Sequence, residues 1–138
     1  MKRWERRDGA AQAAREIRKA WSEYAEAHDE GDPDGVARWF TEDALILAPG
    51  LPEVRGRDGF RDLISRSFAT ASFEGLEIES RELDVHADRA WEIGSFTETM
   101  IVHGEDPRRL RGRFVVQWVR DEHGWRIRRY LTNAAPKG

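Results

Sequence analysis

Tyr24 and His28 are the side chains whose types and spacing most directly indicate chemistry in this sequence. They lie four residues apart in an amphipathic stretch, so a helix brings them one turn apart on the face that also carries Trp21. A phenol can donate a hydrogen bond to a developing oxyanion, and an imidazole can exchange protons near neutral pH. The pair predicts a donor and an acid–base group at the mouth of a pocket. The alternative is ordinary helix packing in which each polar tip is hydrogen-bonded.

Arg129 is the next candidate, because the strand pattern predicts that it faces a core. A four-residue hairpin loop over residues 121–124 pairs Arg120 with Trp125 and sets Val116 opposite Arg129 on an apolar face. An unpaired buried cation is costly, so Arg129 needs an anionic partner or a wet pocket.

Glu92 is the predicted partner of Arg129. Its strand face also carries Gly94, Phe96, Glu98 and Met100. The hairpin that follows is predicted to pair Phe96 with Phe114. That pairing sets Glu92 opposite Trp118, two strands from Arg129 and within reach of its long side chain. The pair predicts either the polar floor of a catalytic or ligand-binding site or a structural buried salt bridge.

Aromatic side chains are predicted to line the pocket, and Asn133 is predicted to reach it from the end of the last strand. The aromatic residues are Trp21, Trp39, Phe60, Phe96, Phe114 and Trp118. Plain core packing explains each aromatic residue at least as well, and a strand-terminal asparagine more often closes a turn.

Three helices followed by a run of strands must position these residues. Asp32 is predicted to cap a short second helix with Pro33 in its first turn, and Val36, Trp39 and Phe40 are predicted to face inward from that helix. The other helices are predicted over residues 10–30 and from Gly56 onward. Strands are predicted over residues 44–47, 51–54, 73–86, 90–102, 109–120 and 125–133, with a bulge near 80–82. This order predicts an α+β fold.

The composition indicates one globular domain and argues against several kinds of partner. The 138 residues, 39% of them hydrophobic, fit a flexible leader over residues 1–9, a single domain over 10–133 and a tail over 134–138. The net charge is −3 and there is no nucleic-acid recognition motif. No apolar run approaches the ~20 residues that a membrane span needs. We therefore expect neither a nucleic-acid nor a membrane partner.

Metal and cofactor chemistry have no recognisable motif. There are no cysteines, which fits a cytoplasmic protein, and no two histidines fall at a metal-ligand spacing. Neither a phosphate loop nor a dinucleotide fingerprint is present. We expect no metal and no organic cofactor.

The stretch from Tyr24 to Phe60 resembles the nuclear transport factor 2-like superfamily, which includes ketosteroid isomerase. Tyr24 precedes the glycine of a Gly31-Asp32 turn by seven residues, and the chain continues with Glu42-Asp43-Ala44 and Pro49-Gly50. The resemblance implies a conical barrel, in which a curved, mostly antiparallel sheet wraps around three N-terminal helices. It also implies that the tyrosine hydroxyl serves as an oxyanion donor.

The chain departs from ketosteroid isomerase at the residues that carry its reaction. Ala48 stands where the isomerase places its proton-shuttling aspartate, and Val115 or Val116 stands where it places a protonated aspartate. The steroid isomerase reaction is therefore not expected. The segments PGLPEVRGRDGF and HGWRIRRYLTN are more similar to the SnoaL-like proteins, in particular the SgcJ-type branch.

This second resemblance implies a small-molecule pocket. The first expectation is an enzyme that performs proton transfer (isomerisation, cyclisation or dehydration) on a hydrophobic or polyketide-like substrate. Tyr24 would act as donor, His28 as acid or base, and Glu92 with Arg129 as the polar floor. The alternative is a non-catalytic binding or accessory protein. In either case we expect a homodimer through the outer sheet face, at Val115, Gln117, Val119 and Tyr130.

Overall fold

Helices occupy the first part of the chain, and strands occupy most of the rest. The structure is a computed structural model that describes residues 3–136, with side chains from residue 9 onward. Its elements are α1 (Arg3–Glu30), α2 (Pro33–Ala37), β1 (Phe40–Leu47), β2 (Val54–Arg55), α3 (Gly56–Thr70), β3 (Ala71–His86), β4 (Arg89–Val102), β5 (Arg108–Asp121) and β6 (Gly124–Ala134).

The turn between α1 and α2 forms as its residues predict. Gly31 adopts a left-handed conformation with φ 69°, which favours a residue without a Cβ. The Asp32 side chain then accepts a hydrogen bond from the backbone N–H of Gly35 at 3.1 Å, and Pro33 begins α2. The reversal brings Val36 into the core, where it is fully buried.

One sheet contains all six strands of residues 3–136, in the order β2-β1-β6-β5-β4-β3. The neighbours β1 and β6 are parallel, and every other pair is antiparallel. β2 and β3 form the two edges, so the curved sheet stays open and does not close into a complete barrel. The predicted α+β class, with three N-terminal helices against this sheet, is confirmed.

The core lies between the helices and the inner face of the sheet. α1 contributes the stripe that the sequence predicts, from Ile17 through Trp21 and Tyr24 to His28. Burying each large apolar side chain stabilises the fold by about 1.5–3 kcal/mol. The largest fully buried apolar side chains are Trp118, Phe40, Ile17, Ile46, Ile127, Val36 and Val116.

The largest differences between predicted and observed limits are at α1, β1 and β2, of which β2 covers Val54–Arg55 and not residues 51–54. α1 begins at Arg3 and not at Ala10, which runs it through most of the predicted leader; Met1 and Lys2 lie outside the described residues. β1 begins at Phe40 and not at Ala44. Trp39 and Phe40 are buried as predicted, but they lie beyond the end of α2. The predicted bulge in β3 is confirmed by a register shift between Ser80 and Glu82.

The predicted register of the β5–β6 hairpin holds only near its loop. Arg120 pairs with Trp125 as predicted, but the register shifts between Gln117 and Trp118. Gln117 then pairs with Arg129, and Val116 pairs with Tyr130 and not with Arg129. The extra residue of this bulge lies in β6 and reverses the direction of every side chain that follows.

The predicted pairing of Phe96 with Phe114 is also wrong, by two residues. Gly94 pairs with Phe114, and Phe96 pairs with Gly112. Each phenylalanine ring covers the glycine opposite, in space that a Cβ at that glycine would need. Two phenylalanine–glycine pairs therefore replace the predicted aromatic pair. Because the shift is an even number of residues, the predicted inner face of β4 is retained.

Candidate functional site

A cavity of about 180 Å³ lies between α1, α3 and the inner face of the sheet. Its wall is mostly apolar, as small-molecule sites usually are. The apolar lining consists of Trp21, Ile46, Ala48, Leu51, Phe60, Leu63, Ile64, Leu76, Ile78, Phe96 and Phe114. The polar lining consists of Tyr24, His28, Ser67, Glu98, Tyr130 and Thr132.

His28 and Glu98 form the central polar pair of this cavity. Nδ1 of His28, on α1, lies 3.4 Å from Oε2 of Glu98, on β4. Both side chains are buried, and neither of these two atoms has a hydrogen-bond partner within the described part of the chain. Two enclosed polar atoms at this distance can be satisfied by one shared proton or by a polar ligand.

Burial lowers the pKa of His28 and raises the pKa of Glu98, so the usual order of the two values is reversed. Burial lowers the pKa of His28 to about 4, only weakly opposed by the charge of Asp29. Burial, assisted by the same carboxylate, raises the pKa of Glu98 to about 7. Between about pH 4 and pH 7 the pair is therefore neutral, an imidazole beside a carboxylic acid, and not an ion pair.

Aromatic packing explains why His28 loses its solvent. The rings of Phe68 and Phe73 each lie edge-on to the imidazole, with centroids 5.2 Å away. Tyr24 stacks on a further side at 6.1 Å. An imidazolium in this surrounding would exchange its hydration for weakly polar ring contacts, so the neutral form is favoured.

Tyr24 and Tyr130 form a phenol pair beside Glu98. Their hydroxyl groups lie close enough for each to influence the pKa of the other. Burial raises the pKa of Tyr130 to about 12 and that of Tyr24 well above its ordinary value, with a smaller contribution from the charge of Glu98. Both phenols therefore stay protonated. A phenolic proton is therefore available to donate to a ligand oxygen.

The predicted pairing of Glu92 with Arg129 is wrong. Glu92 is only 2% exposed, but its Oε1 accepts the indole N–H groups of Trp21 at 2.8 Å and Trp118 at 3.0 Å. The bulge in β6 turns Arg129 to the outer face, where Nη1 donates to the backbone carbonyl of Arg128 at 3.0 Å. Arg129 therefore forms no polar floor for the cavity.

The predicted lining residues divide into two groups. Trp21, Phe60, Phe96 and Phe114 line the cavity as expected. Trp118 is wholly buried in the core, and Asn133 is exposed, where it accepts a hydrogen bond from Arg113 at 3.0 Å.

Trp39, the remaining predicted lining residue, lies away from the cavity. The guanidinium groups of Arg38 and Arg126 each pack over its ring, 4.8 and 5.2 Å from the centroid. Cation–π packing of this kind stabilises the end of the core.

Glu98 and Tyr130 are the two titratable site residues that the sequence does not predict. Glu98 shares the strand face of Glu92, so its inward direction was available from the alternation alone. Tyr130 was expected on the outer face as a dimer contact; the same bulge that turns Arg129 outward turns Tyr130 into the cavity. Its ring packs 5.7 Å from Phe40 and 6.4 Å from Phe60.

Two further observations concern the described part of the chain. Within residues 9–136, no three His, Asp or Glu side chains come together in a way that could hold a metal ion. None of the helices in the described segment is both long enough and apolar enough to cross a membrane.

Solved structures with the same fold are numerous. A ketosteroid isomerase-like protein from Erwinia carotovora atroseptica superposes with a TM-score of 0.76 at 21% identity, over 88% of this chain and 95% of that one. A nuclear transport factor 2-like protein from Novosphingobium aromaticivorans gives 0.76 at 19% identity, over 98% and 90%. A superfamily protein from Salmonella enterica gives 0.77 at 15%, over 92% and 94%. At these identities the likeness concerns the fold alone.

The sequence itself identifies the family. No curated protein matches the chain. The family model described as the SnoaL-like domain matches residues 9–130, which contain every polar residue of the cavity other than Thr132. The chain therefore belongs to the SnoaL-like domain family, with the nuclear transport factor 2-like fold.

Proposed function

We propose that this protein is an enzyme that moves a proton on a small hydrophobic carbonyl compound, without metal or organic cofactor. The observation that carries the proposal is the buried contact between His28 and Glu98, 3.4 Å apart on the wall of an apolar cavity. A general acid–base group is most effective when its pKa lies near the working pH. The pKa of Glu98, raised to about 7 by burial, meets that condition.

Each polar residue has a role in such a reaction. The Glu98 carboxylate takes a proton from the carbon next to the substrate carbonyl and becomes a carboxylic acid. The negative charge moves to the carbonyl oxygen, where a phenolic proton of Tyr24 or Tyr130 stabilises it. Glu98 then returns the proton to a different carbon, for an isomerisation, or to a leaving hydroxyl, for a dehydration. Neutral His28, 3.4 Å from the carboxyl, can accept a hydrogen bond from the protonated form of Glu98 and so orient it.

The cavity limits the size of the substrate. An engineered apolar cavity of roughly 150 Å³ holds one benzene molecule. A volume of about 180 Å³ therefore fits a molecule of one or two small rings. This narrows the expectation of a polyketide-like substrate to short or bicyclic compounds.

Exchange of carbon-bound protons tests the proposal without knowledge of the natural substrate. In D2O, the protein should accelerate exchange of the protons next to the carbonyl of 2-tetralone, followed by proton NMR. Glu98→Gln should slow the exchange by about 100-fold or more, the range that general bases contribute. Glu77→Gln, an exposed carboxyl on β3, is the matched control and should change nothing.

Two results would contradict the enzymatic proposal. One is exchange that Glu98→Gln leaves unchanged. The other is 2-tetralone binding in the cavity with no exchange, which would support the alternative of a non-catalytic binding protein.

We also propose a homodimer through the outer face of the sheet. Leu47, Leu131, Val115 and Ile93 lie opposite one another on four adjacent strands, and each is more than a third exposed. A continuous apolar row of this kind is typical of a protein–protein contact. Val115→Asp should convert the dimer to a monomer in light scattering, while Gln117→Asp, on the half-buried neighbouring row, should have a smaller effect. A wild-type monomer at micromolar concentration would contradict the proposal.

A further inference from the structure

A second hollow, distinct from the cavity, lies between α1 and β3. It has a volume of about 460 Å³, and we call it the α1–β3 groove. Trp21, Leu76 and Ile78 line both the groove and the cavity, so they form the wall between the two. The remaining lining of the groove is Ala14, Ile17, Arg18, Ser22, Ala25, Ser80, Leu83 and Glu92.

Glu92 is the one carboxyl group in this lining, and its two oxygens have different surroundings. Oε1 accepts two indole N–H groups, from Trp21 and Trp118. Oε2 has no hydrogen bond from any side chain of residues 9–136, and no cation of that segment lies within ion-pair distance of Glu92. The side chain is only 2% exposed. Taking a carboxylate out of water without a cation is costly. A positively charged ligand group at the floor of the groove would offset that cost.

The rest of the groove matches an apolar body more than a second charge. Ile17, Leu83 and the shared wall supply alkyl and aromatic surface. Arg18, the only cation in the lining, is exposed and does not reach Glu92. A ligand that places a cationic nitrogen at Glu92 and a hydrocarbon chain along Ile17 and Leu83 would satisfy both features.

We propose that the α1–β3 groove is a binding site for an organic ammonium ion, a primary amine on an apolar body, with Glu92 Oε2 as its hydrogen-bond acceptor. The site is separate from the reaction at Glu98 and does not depend on it. Binding an ammonium ion requires the negative charge of Glu92, whereas a purely structural role for Glu92 does not. Glutamine can still accept both indole N–H groups, but it offers no negative charge to an ammonium.

Matched ligands test this site. n-Hexylammonium and 1-hexanol share a chain and differ in charge, and their affinities can be compared by calorimetry at low salt. The wild-type protein should bind n-hexylammonium at least about tenfold more tightly than 1-hexanol, in line with a charge-assisted bond in a partly desolvated site. Glu92→Gln should reduce that preference to about twofold or less by the same argument. Equal affinities in the wild type, or a preference that survives Glu92→Gln, would overturn the proposal.

Two more variants locate the ligand and do not depend on how well Glu92→Gln folds. Ala14→Phe narrows the groove from α1 and leaves Glu92 in place, so it should weaken both ligands. Glu98→Gln removes the carboxyl of the cavity and should leave the preference for n-hexylammonium intact. Unchanged binding in Ala14→Phe, or loss of the preference in Glu98→Gln, would place the amine elsewhere and contradict the site.

Discussion

Glu92 and Glu98 occupy the same face of the same strand, six residues apart, and both are buried. Two indole N–H groups converge on one oxygen of Glu92. Glu98 instead meets an imidazole nitrogen that also lacks a hydrogen bond. Equal burial therefore produces different chemistry: Glu92 ties α1 to β5 through two tryptophans, while Glu98 holds an exchangeable proton beside a cavity.

The largest expected contrast is in stability. Glu92→Met leaves two buried indole N–H groups without an acceptor, at about 1–3 kcal/mol each, so the free energy of unfolding should fall by about 2–6 kcal/mol. Glu98→Met removes a carboxyl group whose Oε2 has no hydrogen bond within the described residues, and should change stability by less than about 1 kcal/mol or increase it. Urea denaturation measures both. Equal losses in the two variants would contradict the distinction.

The pH dependence of stability should separate Glu98 from His28. The pKa of Glu98 rises from 4.5 to about 7 on folding, so its contribution to stability falls as pH rises through that window. The pKa of His28 falls from 6.5 to about 4, so its contribution is lost as pH falls through that window. The slope for either group is at most about 1.4 kcal/mol per pH unit.

Paired variants test this prediction between pH 5 and pH 8, a range that spans most of both windows. Relative to wild type, Glu98→Gln should gain stability as the pH rises, and His28→Gln should lose it. Denaturation curves at several pH values give both differences. Parallel wild-type and Glu98→Gln curves would show that Glu98 ionises normally in the folded protein.

The smallest expected effect is at Arg129. The guanidinium lies on the outer face and contacts backbone carbonyl groups, so Arg129→Ala should change the free energy of unfolding by no more than about 0.5 kcal/mol. If Arg129 neutralised Glu92, its removal would leave a buried unpaired carboxylate and cost about 3–5 kcal/mol. A loss of that size would indicate that Arg129 pairs with Glu92 and would contradict the placement of Arg129 on the outer face.

Much of the fold follows from local patterns in the sequence. The Gly31-Asp32-Pro33 turn specifies its own geometry, and alternation along β4 gives the inner face that carries both Glu92 and Glu98. Alternation of apolar and polar residues cannot predict a bulge when the apolar pattern stays intact on both sides of it. In β6 one extra residue exchanges the directions of Arg129 and Tyr130.

That single shift explains most of what the sequence could not predict about the site. A pattern that places Arg129 inside predicts Glu92 as its partner and gives no indication of a role for Glu98. The protonation of Glu98 and His28 depends on desolvation by residues distant in sequence, such as Phe68 and Phe73, which no local pattern reports.

A carbon-13 NMR titration of the glutamate side-chain carboxyl groups tests the central claim most directly, with the Glu98 signal assigned by its loss in Glu98→Gln. We expect that signal to titrate with a midpoint near pH 7, since burial raises the pKa of Glu98 to about 7. A midpoint near 4.5, the ordinary value for a glutamate, would show that Glu98 is ionised throughout the neutral range and would contradict the account.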